Sequence, residues 1–185
     1  MAFDPYFPLP LEAWEWFVNL GSIIEVEKEE IVKESFATER YFYFVLSGSG
    51  GVFVWKENNY VCIDLCYEND FFGDYMSFLT QQPSPLEVRC FEKTTLFRIS
   101  KDRFNKMSVE SEFGDKMCRI AAEALFIHKQ QQQIDILTKS ARERYLTILE
   151  YQGELLQKTP QKHIASYLGI TPQSLSRIRK KIAIR

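Results

Sequence analysis

The hydrophobic pattern of this 185-residue chain changes period near Ser100, and that change limits the fold more than any other feature. From Ile23 to Ser100, apolar and polar residues alternate in short runs rich in Val, Ile, Phe and Tyr. Examples are Tyr41-Phe42-Tyr43-Phe44-Val45-Leu46, Val52-Phe53-Val54-Trp55, Tyr60-Val61-Cys62-Ile63 and Thr95-Leu96-Phe97-Arg98-Ile99. Turn-forming stretches separate them: Ser47-Gly48-Ser49-Gly50-Gly51, Glu57-Asn58-Asn59, Glu68-Asn69-Asp70 and Pro83-Ser84-Pro85. Many short strands at this spacing predict an antiparallel sandwich or roll. No long helical pattern interrupts them, which excludes a βαβ architecture. Hydrophobic residues make up 45% of the chain, enough to build a packed core. A short amphipathic helix is expected before the strands, over Leu11 to Leu20.

After Ser100 the period becomes helical. Lys101 to Met107 reads as a short helix, and a long one follows from about Glu112 to Leu137. One face of the long helix carries Phe113, Met117, Ile120, Ala124, Ile127, Gln131 and Ile134. A stripe this narrow suits a partner helix and predicts a homodimer seam; the other reading is packing on the protein's own sheet. Ser140 to Leu156 is a further helix, because Ser140 and Glu143 form a capping box. The fold class is therefore α+β: an antiparallel, jelly-roll-like β-roll with flanking helices, a long helix, and an all-α end.

The all-α end has the most specific signal. Thr159 can cap a helix with Pro160 in its first position, and Ile164, Ala165 and Leu168 share one face. Gly169 ends it, Ile170 plugs the turn, and Thr171 caps a second helix that also opens on proline, Pro172. Leu175, Ile178 and Ile182 form that helix's buried face. Its outward face carries Gln173, Ser174, Arg177, Lys180 and Lys181, with Arg179 near the edge. Two short helices joined in this way present the second to the major groove of DNA. Arg forks onto guanine and Gln onto adenine, so Gln173, Ser174 and Arg177 are the candidate base readers. Lys162, Thr171, Arg179, Lys180 and Lys181 are the candidate phosphate contacts. The alternative is a sensing module whose basic end binds protein.

Net charge is only −2, but it is segregated. Residues 138–185 carry ten Lys and Arg against three Glu, and residues 1–137 carry thirteen against twenty-two acids. A basic end suits a polyphosphate partner. The four cysteines, Cys62, Cys66, Cys90 and Cys118, have no C-x-x-C spacing, and the N-terminus lacks a cationic, apolar leader. No stretch reaches the roughly 18–20 apolar residues a membrane helix needs. A cytoplasmic protein with reduced thiols and no membrane partner is expected. Residues 23–100 contain no histidine, which disfavours a metal enzyme of the barrel type. No cofactor, metal site or catalytic residue is expected.

With these residues in view, the chain resembles the Crp/Fnr family of transcription regulators over nearly its full length. Tyr43-Phe44-Val45-Leu46-Ser47-Gly48 is similar to the family's strand and turn. Asp70-Phe71-Phe72-Gly73-Asp74 is similar to its Gly-Asp-x-Phe-Gly-Glu turn, with Asn69 replacing the first glycine. Ala165 to Ile182 matches its recognition hairpin. The resemblance implies a cyclic-nucleotide-binding-like roll over residues 1–110, a dimerisation helix over 111–138, and a helix-turn-helix DNA-binding domain over 139–185. It implies double-stranded DNA, a second copy of the chain and RNA polymerase as partners. It also implies an effector pocket made by Phe72, Gly73, Asp74, Ser84, Arg89, Ile127 and His128.

Two departures narrow the expectation. Ser84 and Pro85 stand where cyclic-AMP-binding members carry Arg with Ser or Thr, so the counter-charge for a cyclic phosphate is missing. Asp74 is shorter than the family's ribose-contacting Glu. The chain thus resembles divergent members without the phosphate arginine. Cyclic AMP is disfavoured, and Phe72, Tyr75 and Phe78 could instead fill the pocket. Little sequence follows the second helix, so a wing that is reduced or absent is expected.

Overall fold

The computed structural model describes residues 10–183. Among them, eight strands form two four-stranded antiparallel sheets, as the alternating pattern predicts. The first sheet has the order β1 (Ser22–Val26), β8 (Thr94–Ser100), β3 (Tyr41–Ser47), β6 (Phe71–Phe72). The second has the order β2 (Ile31–Lys33), β7 (Leu86–Cys90), β4 (Ser49–Lys56), β5 (Asn59–Tyr67). Tyr43, Val45, Val52, Phe72, Val88 and Leu96 meet between the sheets and form the inner core. Between β6 and β7 lies the short helix α2 (Tyr75–Thr80).

The outer face of the first sheet is covered by α1 (Leu11–Leu20), α3 (Lys101–Glu110) and the start of α4 (Glu112–Thr138). Trp14, Phe97, Ile99 and Met107 pack there, and Met117 joins them at 3% exposure. Met117 was expected in the seam; it faces its own roll instead. Gly114 and Ala121 flank it on the buried face of α4. Their small size brings the helix close, since a Cβ on Gly114 would lie 2.0 Å from the Met107 carbonyl oxygen.

The outer face of the second sheet is covered differently. Pairing passes from Val52 opposite Asp64 to Phe53 opposite Cys62, so Ile63 is a bulge. The bulge flips the alternation: Cys66 points into the inner core, while Cys62 points outward with Phe53 and Phe91. β5 is also an edge strand, and its open side is met by the second of three C-terminal helices and by Gln132 of α4. The three helices are α5 (Ala141–Lys158), α6 (Gln161–Tyr167) and α7 (Pro172–Ala183).

The Cys62 N–H donates to Ser166 Oγ at 2.9 Å, and Gln132 of α4 donates to the Ile63 carbonyl at 3.0 Å and to the Tyr167 hydroxyl at 3.1 Å. The Tyr67 and Thr159 hydroxyls share a hydrogen bond of 2.9 Å. Thr159 is therefore a tether to the roll rather than the expected helix cap, and Pro160 occupies the cap position of α6. His163 stacks on Phe91 at 4.7 Å and meets Phe53 edge-on at 5.0 Å.

The three C-terminal helices share a separate core of Tyr145, Leu156, Ile164, Ala165, Leu168 and Leu175. Ser140 and Glu143 make the expected reciprocal cap at the start of α5. The expected reduced or absent wing falls on residues outside those described.

His163 is 8% exposed, and its Nε2 has no hydrogen-bond partner. Burial between the rings, helped by Lys162, holds its pKa down at about 4. The unfolded chain takes up that proton near pH 6.5, so the stability is complete above pH 6.5 and is lost as pH falls towards 4. The expected loss is about 3 kcal/mol. His163→Phe keeps the ring stack without a titrating group. Urea midpoints measured against pH should show the acid-side loss in wild type and its reduction in His163→Phe; parallel curves would contradict this.

Candidate nucleic-acid interface and roll cavity

The C-terminal hairpin is built by local rules. The Gly169 N–H donates to Ser166 O and the Ile170 N–H to Ala165 O, which ends α6 with Gly169 at φ +68°. Thr171 then caps α7, accepting from the Ser174 N–H at 3.2 Å, and its hydroxyl donates to Ser174 Oγ at 3.1 Å. Leu175 is fully buried, and Ile178 and Ile182 pack beside it. The opposite face of α7 is turned outward.

On that face, Gln173 and Arg177 are exposed and Ser174 is half-buried. Lys180 and Lys181 are exposed in the last turn, Arg179 is half-buried, and Lys162 and Thr171 are exposed on the same hairpin. Among the described residues, no carboxylate forms an ion pair with Lys162, Arg177, Arg179, Lys180 or Lys181. A row of cations without internal partners is free to engage an external polyanion.

A second feature lies at the end of the roll, a cavity of about 450 Å³ between the sheets, α2 and α4. Phe72, Gly73 and Asp74 are on its wall, as are Tyr75 and Phe78, which narrow the cavity without filling it. Four expected residues lie elsewhere. Ser84 is buried behind Asp74 and donates to its carboxylate. Arg89 is held by Glu87 at 2.5 Å and sits over the Tyr60 ring. Ile127 is 67% exposed, and His128 borders a separate groove with Gln131, Arg144 and Tyr167. On α4 it is Leu125 and Lys129 that reach the cavity. They share the roll-facing side with Ala121 and Gln132, a helical spacing that was available in the sequence. Tyr41, Phe42, Asp64, Met76 and Leu79 also line it and were not foreseen.

The floor beneath Gly73 is acidic and, apart from the buried Glu39 Oε2, which has no hydrogen-bond partner among the described residues, satisfied from within. Asp74 has no exposed side-chain surface; it caps α2 through the Ser77 N–H at 3.0 Å and pairs with buried Lys33 at 3.2 Å. Lys33 also donates to the Leu86 carbonyl at 2.7 Å and to Ser84 Oγ at 3.3 Å. Beside them, Glu39 accepts from the Arg40 and Tyr41 N–H groups, and burial raises its carboxyl to about 7. At the cavity's other end, Lys129 is bound to Asp64 at 2.5 Å. Among the described lining residues, then, Lys129 is the one Lys or Arg, and it is already paired.

Comparison with known proteins places these features in one fold. Residues 23–111 match the family model of the cyclic nucleotide-binding domain. The chain is similar to FixK2 from Bradyrhizobium japonicum, with a TM-score of 0.77 and 14% identity over 89% of this chain and 85% of that one. It is similar to CLP, a c-di-GMP responsive global regulator of Xanthomonas campestris, with a TM-score of 0.67 and 15% identity over 95% and 92% of the two chains. It is also similar to the catabolite activator protein of Thermus thermophilus, with a TM-score of 0.59 and 17% identity over 98% and 86%. These structures are Crp/Fnr family regulators, and the chain has their fold. No curated protein sequence matches it at a significant level. Among the described residues, no helix is long and apolar enough to cross a membrane.

The buried pair under the cavity makes a direct prediction. Lys33→Met leaves the Asp74 carboxylate buried without its cation and should cost about 3–5 kcal/mol in urea denaturation. Adding Asp74→Asn removes the stranded charge and should recover at least half of that loss. A single variant as stable as wild type would contradict the pairing.

Proposed function

We propose that the protein is a sequence-specific DNA-binding transcription regulator, acting as a homodimer on a pseudo-palindromic site. The observation that carries this reading is the outward face of α7: Gln173, Ser174 and Arg177 towards its N-terminal end, cations along the rest, and a fully buried Leu175 behind them. In this reading Gln173, Ser174 and Arg177 read base edges, and Lys162, Thr171, Arg179, Lys180 and Lys181 hold phosphates. The shared fold of the regulators named above supports it.

The dimer reading is supported by α4. Phe113, Ile127 and Ile134 are exposed on one side of it, with Ile120 and Ala124 half-buried between them and Gln131 exposed on the same line. That side is distinct from the face that carries Gly114, Met117 and Ala121 into the roll. A second copy packed there would set two α7 helices one helical turn of DNA apart, roughly 34 Å. Residues 1–110 then sense, 111–138 join the copies, and 139–185 read DNA. The roll cavity is the effector site in this account, RNA polymerase is a further partner, and the chain works in the cytoplasm by binding rather than catalysis.

Two measurements test this. Against a duplex selected from a random pool by the full-length protein, Arg177→Ala should weaken binding by about 1–3 kcal/mol in fluorescence anisotropy. Lys180→Ala should reduce the salt slope by about one phosphate contact. Unchanged affinity in Arg177→Ala would sink base reading by α7. Separately, Ile127→Glu with Ile134→Glu should convert a dimer into a folded monomer in analytical ultracentrifugation; a dimer that persists would remove α4 from the seam.

A further inference from the structure

The walls of the roll cavity specify a chemistry that a cyclic nucleotide does not have. Phe42 and Phe71 pack at 4.9 Å on one side, with Phe78 5.9 Å from Phe42. Val52 and Leu86 line the cavity from the second sheet, and Leu125 lines it from α4. Met76 and Leu79 of α2 also line it, yet they are 59% and 47% exposed. Two large apolar side chains left half in water at the rim of an aromatic cavity are the surface an incoming apolar molecule would cover.

The polar groups argue the same way. A phosphate needs a cation with donors to spare. Lys129 is committed to Asp64 at 2.5 Å, and Lys33, below the cavity, is committed to Asp74 at 3.2 Å. An anion at the Gly73 turn would face Asp74 and Glu39, both buried, and gain no free counter-charge. Burying a charge without a partner is strongly disfavoured. A neutral molecule meets no such cost, because Lys33 and Asp74 are already paired in the interior and Lys129, half-exposed on α4, is already paired with Asp64.

We propose that this cavity binds an uncharged, predominantly apolar small molecule, of a size suited to about 450 Å³, in place of a cyclic nucleotide. The proposal rests on the reading of the cavity as the effector site. Such a ligand would touch α2, β5 and α4 together. β5 and α4 are also the elements that hold α6, so the occupant would press on the parts that carry the reading head.

The test uses the full-length protein without DNA and the uncharged fluorophore N-phenyl-1-naphthylamine. Wild type should bind it saturably at one site per chain. Leu125→Trp, which fills the cavity from α4, and Leu79→Lys, which places a charge at the rim, should each weaken binding about tenfold or more. Millimolar cyclic AMP, cyclic GMP or cyclic di-GMP should leave the probe bound. Leu79→Lys lies at the surface and keeps the test valid should Leu125→Trp fail to fold. Displacement by a cyclic nucleotide, or wild-type probe affinity in Leu79→Lys, would overturn the proposal. DNA affinity is read in a separate titration, so failure of the regulator reading shows there and not in probe binding.

Discussion

The open edge of β5 is the constraint on which the arrangement of the molecule depends. An edge strand presents unpaired N–H and C=O groups, and proteins cover such edges or blunt them. Here the cover is supplied by side chains of helices that belong to the C-terminal half. Ser166 accepts the Cys62 N–H, Gln132 donates to the Ile63 carbonyl, and Thr159 meets Tyr67. The bulge at Ile63 makes this possible by turning Cys62 outward beside Phe53 and Phe91, where the His163 ring completes the contact. Satisfying a sheet edge and seating the helix-turn-helix are thus the same act. The Arg144 guanidinium adds a bond to the Leu168 carbonyl at 2.7 Å and ties α5 to the end of α6.

The charges are arranged to serve two different surfaces. Two of the roll's acids already have partners: Asp74 pairs with buried Lys33, and Asp64 with half-exposed Lys129 of α4. The cations of α7 stay outside and free of carboxylates among the described residues. The cavity is left close to neutral and apolar, while the outward face of α7 is left strongly basic. Burial also pushes the Cys90 and Cys118 thiols up to about 11, so the thiols contribute volume rather than reactivity.

Much of this was legible in the sequence wherever the rule is local. The alternation of Tyr41 to Leu46, the Ser140 and Glu143 cap, and the Gly169-Ile170-Thr171 turn each depend on a few neighbouring residues. What sequence did not give depends on contacts far along the chain. Thr159 has the chemistry of a helix cap, but a tyrosine 92 positions away claims its hydroxyl. Met117 fits a seam stripe, and only the closeness allowed by Gly114 and Ala121 turns it inward. The cavity residues of α4 were placed at Ile127 and His128, whereas the helix rotates Leu125 and Lys129 into it. The buried setting of His163 is not visible locally either, because the phenyl rings that enclose it come from β4 and the segment after β7.

The C-terminal helix-turn-helix is seated on the roll through the β5 edge. Amide hydrogen exchange of the full-length protein tests it most directly, because the Cys62 N–H is bonded to α6 and not to β4. The account predicts that this amide is protected in wild type. It also predicts that His163→Lys, by placing a charge between Phe53 and Phe91, releases it, while the Leu168 amide, bonded within α6 to Ile164, stays protected. A Cys62 amide that exchanges as a free edge amide in wild type, or that is unmoved by His163→Lys, would contradict the account.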